Sequence, residues 1–131
     1  MIANVRQFYK ELGNLFYAIA AADKIISDKE KEMLDKEVQY CWKHFEDSKD
    51  RFGSDRAFLI EFEFEAMEEK FETAENAFKS FEYFFNENKN QIDKKTRTQI
   101  LNSAKHIAEC ARKINRNELV YLNRLKKLMK I

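Results

Sequence analysis

Proline is absent from this chain of 131 residues, and glycine occurs only twice, at Gly13 and Gly53. A β-sandwich needs a turn about every 8–12 residues, and these two residue types supply most such turns. The scarcity of both therefore predicts an all-α fold. The length suits one domain spanning residues 1–131 rather than two.

Cysteine and long hydrophobic runs are also scarce. Cys41 and Cys110 form no CxxC pair, so they are predicted to be reduced, small core residues. The longest uncharged run, residues 12–22, is too short to span a bilayer. The first residues lack the basic-then-apolar order of a secretory signal. We therefore expect a cytoplasmic location.

Sequence signatures of catalysis are missing as well. The two histidines, His44 and His106, are not preceded by Glu at the ExxH spacing that a di-iron bundle centre needs. No glycine-rich phosphate loop is present. Cys41 and His44 share one predicted helix face, which leaves a cysteine–histidine pair as a minor alternative. The sequence therefore predicts a protein that is not an enzyme.

Apolar residues at three- and four-residue spacing predict the first two helices. The first runs from about Val5 to Asp23, and Gly13 inside it would let another helix approach closely. Ser27 and Glu30 match a capping box that starts the second helix. The polar segment 46–55 is predicted to be a long loop.

Residues 57–85 carry an unbroken helical stripe, although the short stretch IEFEFE alternates like a strand. We expect two helices with a break near Glu72 and Thr73 as N-cap, because one rod of about 30 residues would overhang so small a domain. The aromatic part of the stripe is predicted to be core: Phe64, Phe71, Phe78, Phe81 and Phe85. A partner groove bordered by Trp42, Tyr83 and Phe84 is the alternative.

Two further helices complete the predicted bundle of about six. One begins at Asp93 or Lys94, and the last begins at Asn115, with Glu118 three residues later as in a capping box. The stripe of the last helix is predicted to consist of Leu119, Leu122, Leu125, Leu128 and Met129.

The two ends of the chain resemble each other at an offset of 88 residues, which places residues 15–34 over 103–122. Each copy reads as a helix, a short turn and a capped second helix. One such pair cannot bury its apolar face alone, so the two copies are predicted to pack together with pseudo-two-fold symmetry. The matching positions include Ile19 and Ile107, Ile26 and Ile114, Glu30 and Glu118, and Leu34 and Leu122.

This repeated pattern of an alanine-rich helix ending in AAAD, an isoleucine three residues later and then SxxE resembles the TerB family of tellurite-resistance-like domains. Such domains also occur at the front of a membrane-anchored DnaJ-type co-chaperone. The resemblance covers most of the chain and is strongest at residues 12–42 and 100–131. It implies an all-helical domain that acts without catalysis, as an interaction or scaffold module in bacterial stress response. Protein partners, a homo-oligomer and peripheral membrane association are the partner expectations.

The resemblance also implies that acidic clusters hold a divalent cation, calcium or magnesium. Asp23 matches the Asp of the family's corner and Glu30 the Glu of the following helix, whereas Lys24 replaces the corner glycine. In the second copy Ala111 replaces the Asp, and Glu118 remains. The candidate metal ligands are thus Asp23, Asp28, Glu30 and Glu118, since such cations take several oxygen ligands. The alternative is that Asp28 and Glu30 only cap the second helix and complement its macrodipole.

Charge is nearly balanced overall, with a net charge of +1, but it is unevenly distributed. Seven glutamates lie between Glu61 and Glu75, against one lysine, Lys70. The C-terminal segment carries Arg112, Lys113, Arg116, Arg124, Lys126, Lys127 and Lys130. We expect these two faces to lie near each other. The alternative function is an adaptor that binds nucleic acid or an anionic membrane through the basic last helix, although the low net charge counts against nucleic acid.

Overall fold

The computed structural model describes residues 2–45, 56–110 and 114–130; the predicted loop 46–55 and residues 111–113 lie outside them. The described residues form six α-helices and no strand, which confirms the all-α prediction. A π-helical turn, Val38–Trp42, follows the second helix, and a 3-10 turn, Lys89–Gln91, follows the fourth. The helices are α1 (Val5–Ala20), α2 (Asp28–Glu37), α3 (Phe58–Glu69), α4 (Ala74–Asn88), α5 (Lys94–Glu109) and α6 (Arg116–Met129).

Five helices begin at short polar side chains that cap them. The cap residues, each accepting a hydrogen bond from the backbone N–H three residues later, are Asn4, Ser27, Thr73, Asp93 and Asn115. The cap at Thr73 separates α3 from α4, so the predicted break is confirmed.

The first helix ends earlier than predicted, at Ala20 rather than Asp23. Lys24 has a φ of 68°, which lies in the left-handed region and cannot continue a right-handed helix. Its backbone N–H instead donates to the carbonyl oxygen of Ala21 at 2.9 Å, which closes a turn. The polypeptide therefore changes direction over residues 21–24, and α2 begins after it.

Helix α1 lies at the centre of the fold and contacts α3, α4, α5 and α6. Gly13 explains the close packing of α1 on α3. A Cβ atom at this position would lie 2.5 Å from the carbonyl oxygen of Ile60 and 2.8 Å from the Cβ of Glu63. The predicted role of Gly13, to permit close approach of another helix, is thus confirmed.

Aromatic side chains fill the core around α1. The ring of Phe8 lies within 6.2 Å of the rings of Tyr9, Trp42, Phe45 and Phe84, measured between centroids. The predicted core residues Phe64, Phe78, Phe81 and Phe85 are all buried. No helix in these three described ranges is both long and apolar enough to cross a membrane.

The structure corrects three predictions about buried faces. Phe71 is 89% exposed, so it does not belong to the core stripe. In the alternative groove, Trp42 and Phe84 are buried and only Tyr83, at 71%, is exposed. On α6, Leu119 is 48% exposed and Glu118 is buried instead, because the Glu118 carboxylate turns back to cap the start of its own helix.

The internal repeat is visible as two matching helix corners. The α1–α2 corner carries the Ser27–Glu30 capping box, and the α5–α6 corner carries the Asn115–Glu118 capping box. The side-chain amide of Asn115 donates to the carboxylate of Asp23 at 3.0 Å, so the two corners are in contact. The two corners therefore match locally and pack against each other, whereas pseudo-two-fold symmetry of the whole bundle stays a prediction.

Candidate functional site

Three of the predicted metal ligands lie where the two helix corners meet, and the fourth lies apart from them. Glu30 and Glu118 are 4% and 2% exposed, and each carboxylate accepts from the backbone N–H of its N-cap residue, at 2.8 and 3.0 Å. Asp23 is half-buried at the same corner and accepts from Ile25 N–H at 3.1 Å. Asp28 lies exposed in the first turn of α2.

Burial dominates the electrostatics of this corner. It raises the pKa of Glu30 to about 7; hydrogen bonds from Ser27 act in the opposite direction, and the nearby charges of Glu118 and Asp23 raise it further. Burial and the same glutamates also raise the pKa of the Cys110 thiol. The described residues contain no group of three or more His, Cys, Asp or Glu side chains placed to hold a metal ion. The capping role of Glu30 and Glu118 is seen directly, whereas the divalent cation stays a prediction.

A second polar cluster joins α2 to α5 beside the π-helical turn. The hydroxyl of Ser103 donates to Glu37 Oε1 at 2.6 Å and accepts from the indole N–H of Trp42 at 3.0 Å. His106 Nδ1 lies 3.2 Å from Glu37 Oε2. Ser103 is buried and its hydroxyl is bonded to a carboxylate rather than to an imidazole, so this arrangement does not activate a serine nucleophile. Its effect is to hold the two helices in register.

The thiol of Cys41 lies at the edge of this cluster. Its Sγ donates to Glu37 Oε1 at 3.9 Å, and burial together with the Glu37 charge raises the thiol pKa. A raised pKa disfavours the thiolate, which is the reactive form of cysteine. The raised pKa of the Cys41 thiol therefore gives no support to a nucleophilic pair of Cys41 and His44.

A mainly apolar groove lies between the end of α1, the α3–α4 turn and α6. Its volume is about 580 Å³, within the range of about 300–1,000 Å³ that is usual for binding pockets. We call it the acidic groove, because three glutamates of the α3–α4 region line it against one lysine, Lys24. Its apolar lining includes Tyr17, Ala21, Ile26, Phe71, Ala74 and Tyr121.

The three glutamates of the acidic groove are Glu68, Glu72 and Glu75. Glu68 is paired with Lys31 at 2.8 Å, with both side chains partly exposed. The Glu72 carboxylate accepts from the N–H of Thr73 at 2.9 Å and from the amide of Asn76 at 3.2 Å, both neutral groups. These hydrogen bonds lower the pKa of Glu72, so its negative charge persists at neutral pH.

Glu75 binds the basic helix α6. Arg124 donates from both terminal nitrogens to the Glu75 carboxylate, at 2.5 and 3.0 Å, and its guanidinium lies 4.5 Å from the ring centroid of Phe78. This pairing lowers the pKa of Glu75. The prediction that the acidic and basic segments lie near each other is thus correct. Arg124 is engaged in this contact, which removes one cation from the surface that the adaptor hypothesis requires.

Phe71 stands at the edge of the acidic groove in a strained backbone conformation. Helix α3 ends in a Schellman motif: the N–H of Phe71 donates to the Glu68 carbonyl at 3.1 Å, and that of Glu72 to the Met67 carbonyl at 3.0 Å. The left-handed residue of this motif is usually glycine, yet here it is phenylalanine with a φ of 56°. An L residue in this region costs about 1–2 kcal/mol, and the exposed ring recovers little of it.

Sequence reasoning missed the acidic groove because its walls come from distant segments. Tyr17 on α1 donates its hydroxyl to the carbonyl of Glu72 at 2.7 Å, across 55 positions. Tyr121 on α6 donates to Glu75 at 3.2 Å. Phe71 falls on the apolar stripe of the sequence, so periodicity assigned it to the core. The one local signal was Phe71 itself, an aromatic residue at the end of α3, where glycine is usual.

In comparisons with protein-family models, curated proteins and solved structures, nothing matched this chain. The resemblance to TerB domains is untested by these comparisons and stays a prediction.

Proposed function

We propose that the chain is a non-catalytic interaction domain whose acidic groove binds a basic, partly apolar segment of a protein partner. The observation that carries this proposal is Phe71, an 89% exposed aromatic side chain in a left-handed conformation at the groove edge. Strained residues of this kind cluster at functional sites, ligand-binding sites among them. In this proposal the bound segment packs against the exposed ring of Phe71.

The chemistry of the groove indicates the kind of partner. Aromatic and aliphatic side chains form its floor, which suits leucine-like or aromatic residues of a docked segment. Glu72 and Glu68 contribute negative charge at the rim; burial, and then the proximity of these two charges, raises the pKa of the Tyr17 hydroxyl. Lysine or arginine residues beside the apolar residues of the partner would complement this charge. An amphipathic basic segment meets both requirements.

The proposal of a non-catalytic role is supported by the state of the nucleophilic side chains. Ser103 is buried within the α2–α5 cluster, and both thiols have raised pKa values. Cys41 and Cys110 are free cysteines, in line with a reducing compartment such as the cytoplasm. The bacterial stress-response setting implied by the resemblance stays a prediction.

Selection of peptides from a random display library on the immobilised protein tests this proposal. We expect the selected peptides to be enriched in lysine or arginine next to aliphatic or aromatic residues. Synthetic versions of them should bind the wild-type protein and lose at least about tenfold in affinity toward Phe71→Gly and toward Glu72→Gln.

The matched control is Lys130→Gly, which relieves the same kind of backbone strain at a residue outside the groove. Peptide affinity for this variant should be unchanged. Selected peptides without basic residues, or peptides that bind Phe71→Gly as tightly as the wild type, would overturn the proposal.

A further inference from the structure

A second concavity lies at the opposite end of α4 and α6 from the acidic groove. It is formed by the 3-10 turn after α4, the start of α5 and the end of α6, and its volume is about 610 Å³. The described residues that line it are four cationic ones and no carboxylate: Lys89, Lys94, Arg97 and Lys130, with Asn90 and Ile92. We call it the basic cleft, and we propose that it binds the phosphate group of a small phosphorylated ligand.

Arg97 holds the three segments of the basic cleft together. Its Nε donates to the carbonyl of Ile92 at 2.8 Å, Nη1 to the carbonyl of Met129 at 3.1 Å and Nη2 to the carbonyl of Lys89 at 2.7 Å. The guanidinium also lies 4.9 Å from the ring centroid of Phe85. All of these partners are neutral, so the positive charge of Arg97 is retained in the cleft. Arg97 therefore both builds the cleft and contributes to its potential.

The three lysines reach the basic cleft from three different segments. Lys89 begins the 3-10 turn, Lys94 is the first residue of α5, and Lys130 is the C-cap of α6. All three are exposed. Their convergence is a product of the tertiary fold, because the residues are separated by up to 41 positions. Four like charges around one cavity repel one another, and a bound anion would relieve that repulsion.

The start of α5 brings two lysines and an acidic N-cap residue close to the cleft. The first turn of α5 contains no acidic residue, and Lys94 and Lys95 occupy it instead. The carboxylate of its N-cap residue, Asp93, accepts a hydrogen bond from the N–H of Thr96 at 2.8 Å. Asp93 is not among the residues that line the cleft. The charge of Asp93 and the C-terminal ends of α4 and α6 offset the positive end of the α5 dipole, so the four cationic side chains supply the attraction for an anion.

A phosphate group suits these donors better than a single carboxylate. Its three oxygens and its charge of about −1.5 to −2 at neutral pH can accept from several cations that approach from different directions. The cleft volume exceeds that of the phosphate alone, which leaves room for the rest of a small molecule. A lipid headgroup carries the same chemistry and is distinguished from a soluble ligand by experiment.

Calorimetric titration of the full chain with inorganic pyrophosphate tests the proposal. We expect saturable binding that weakens at least about tenfold in the double variant Lys89→Gln, Lys94→Gln. The matched control is Lys10→Gln, Lys105→Gln, which removes the same charge from exposed positions outside the cleft. Its affinity should stay within about twofold of the wild type. Arg97 is left intact because its loss would disturb the fold.

A parallel arm uses vesicles of phosphatidylcholine with one fifth phosphatidic acid. Pyrophosphate binding without vesicle binding would assign the cleft to a soluble ligand. Vesicle binding that is lost in the Lys89 and Lys94 variant would assign it to a lipid headgroup. Binding of neither probe, or equal weakening by the cleft and control variants, would overturn the proposal. Neither result bears on the acidic groove, which shares no lining residue with the cleft.

Discussion

The side-chain amide of Asn115 donates a hydrogen bond to the carboxylate of Asp23 at 3.0 Å, which joins two helix corners that are 92 positions apart. The bond breaks the symmetry of the repeat, because the counterpart of Asp23 in the second copy is Ala111. Asn115 therefore has two roles, since its side-chain oxygen also caps α6. Its counterpart Ser27 caps α2.

Loss of these two side chains should have unequal effects on stability. Ser27→Ala removes a cap and should lower the free energy of unfolding by about 1 kcal/mol. Asn115→Ala removes a cap and the bond to Asp23, so it should lower it by about 2 kcal/mol. Urea unfolding followed by the fluorescence of the buried Trp42 measures both. Equal losses would show that the Asn115–Asp23 bond contributes nothing to stability.

The buried carboxyl of Glu30 should make stability depend on pH. Its pKa is raised to about 7 in the folded protein, because burial and the charges of Glu118 and Asp23 disfavour ionisation. Between about pH 7 and pH 4.5 the folded state holds a proton that the unfolded state has released. Stability from this group therefore increases as the pH falls through that window, and the cost of ionisation is complete above it.

Glu30→Gln should remove this dependence while keeping an oxygen that can accept from Ser27. The variant is expected to be more stable than the wild type at pH 8, by at most about 3 kcal/mol, and to show a flatter profile between pH 8 and pH 5. Thermal unfolding across this range is the measurement. Burial and the nearby Asp35 also raise the pKa of Glu61 to about 7, so Glu61→Gln serves as a comparison with its own change in slope. An unaltered slope in Glu30→Gln would contradict the prediction.

Phe71→Gly should separate stability from binding. Glycine adopts the left-handed conformation without the steric cost of a side chain, so the variant should gain about 1 kcal/mol in unfolding free energy. The same variant should lose the peptide affinity of the acidic groove. Lys130→Gly, at a φ of 55°, should gain a similar amount of stability and keep that affinity. A Phe71→Gly protein that is less stable than the wild type would show that the exposed ring supports folding after all.

Gly13→Ala should be destabilising even though alanine is the better helix former. The added methyl group would lie 2.5 Å from the carbonyl oxygen of Ile60, which belongs to the backbone of α3 and cannot move aside cheaply. The expected loss is about 1–3 kcal/mol, as in other overpacked cores, reduced by the helix propensity of alanine. Denaturant unfolding checks this value. Unchanged or increased stability would mean that α3 can shift away from α1 without cost.

Most of the helical framework was predictable because its signals are local. The caps at Ser27, Thr73, Asp93 and Asn115 act over three residues, and the apolar stripes repeat every three or four, so both can be read along the chain. The break between α3 and α4 followed from Thr73 in this way. The end of α1 did not, because Lys24 carries no local mark of its left-handed conformation.

The acidic corner was predictable in part. The repeat indicated that Glu30 and Glu118 belong to matching capping boxes, and the structure places both where the alignment expected them. Their deep burial depends on the packing of one corner against the other, which no local pattern reports. The exposure of Asp28 likewise depends on how the two corners pack, and no local pattern reports it.

By itself the sequence determined which segments are helical and where most of them begin, because hydrogen bonds within a few residues and side-chain spacing control both. Tertiary structure alone decided which side chains the helices bring together. The Ser103–Glu37 bond, the acidic groove at Phe71 and the basic cleft at Arg97 each join segments from different helices or turns. Such contacts depend on how α1 aligns its neighbours, and a periodic pattern carries no information about that alignment.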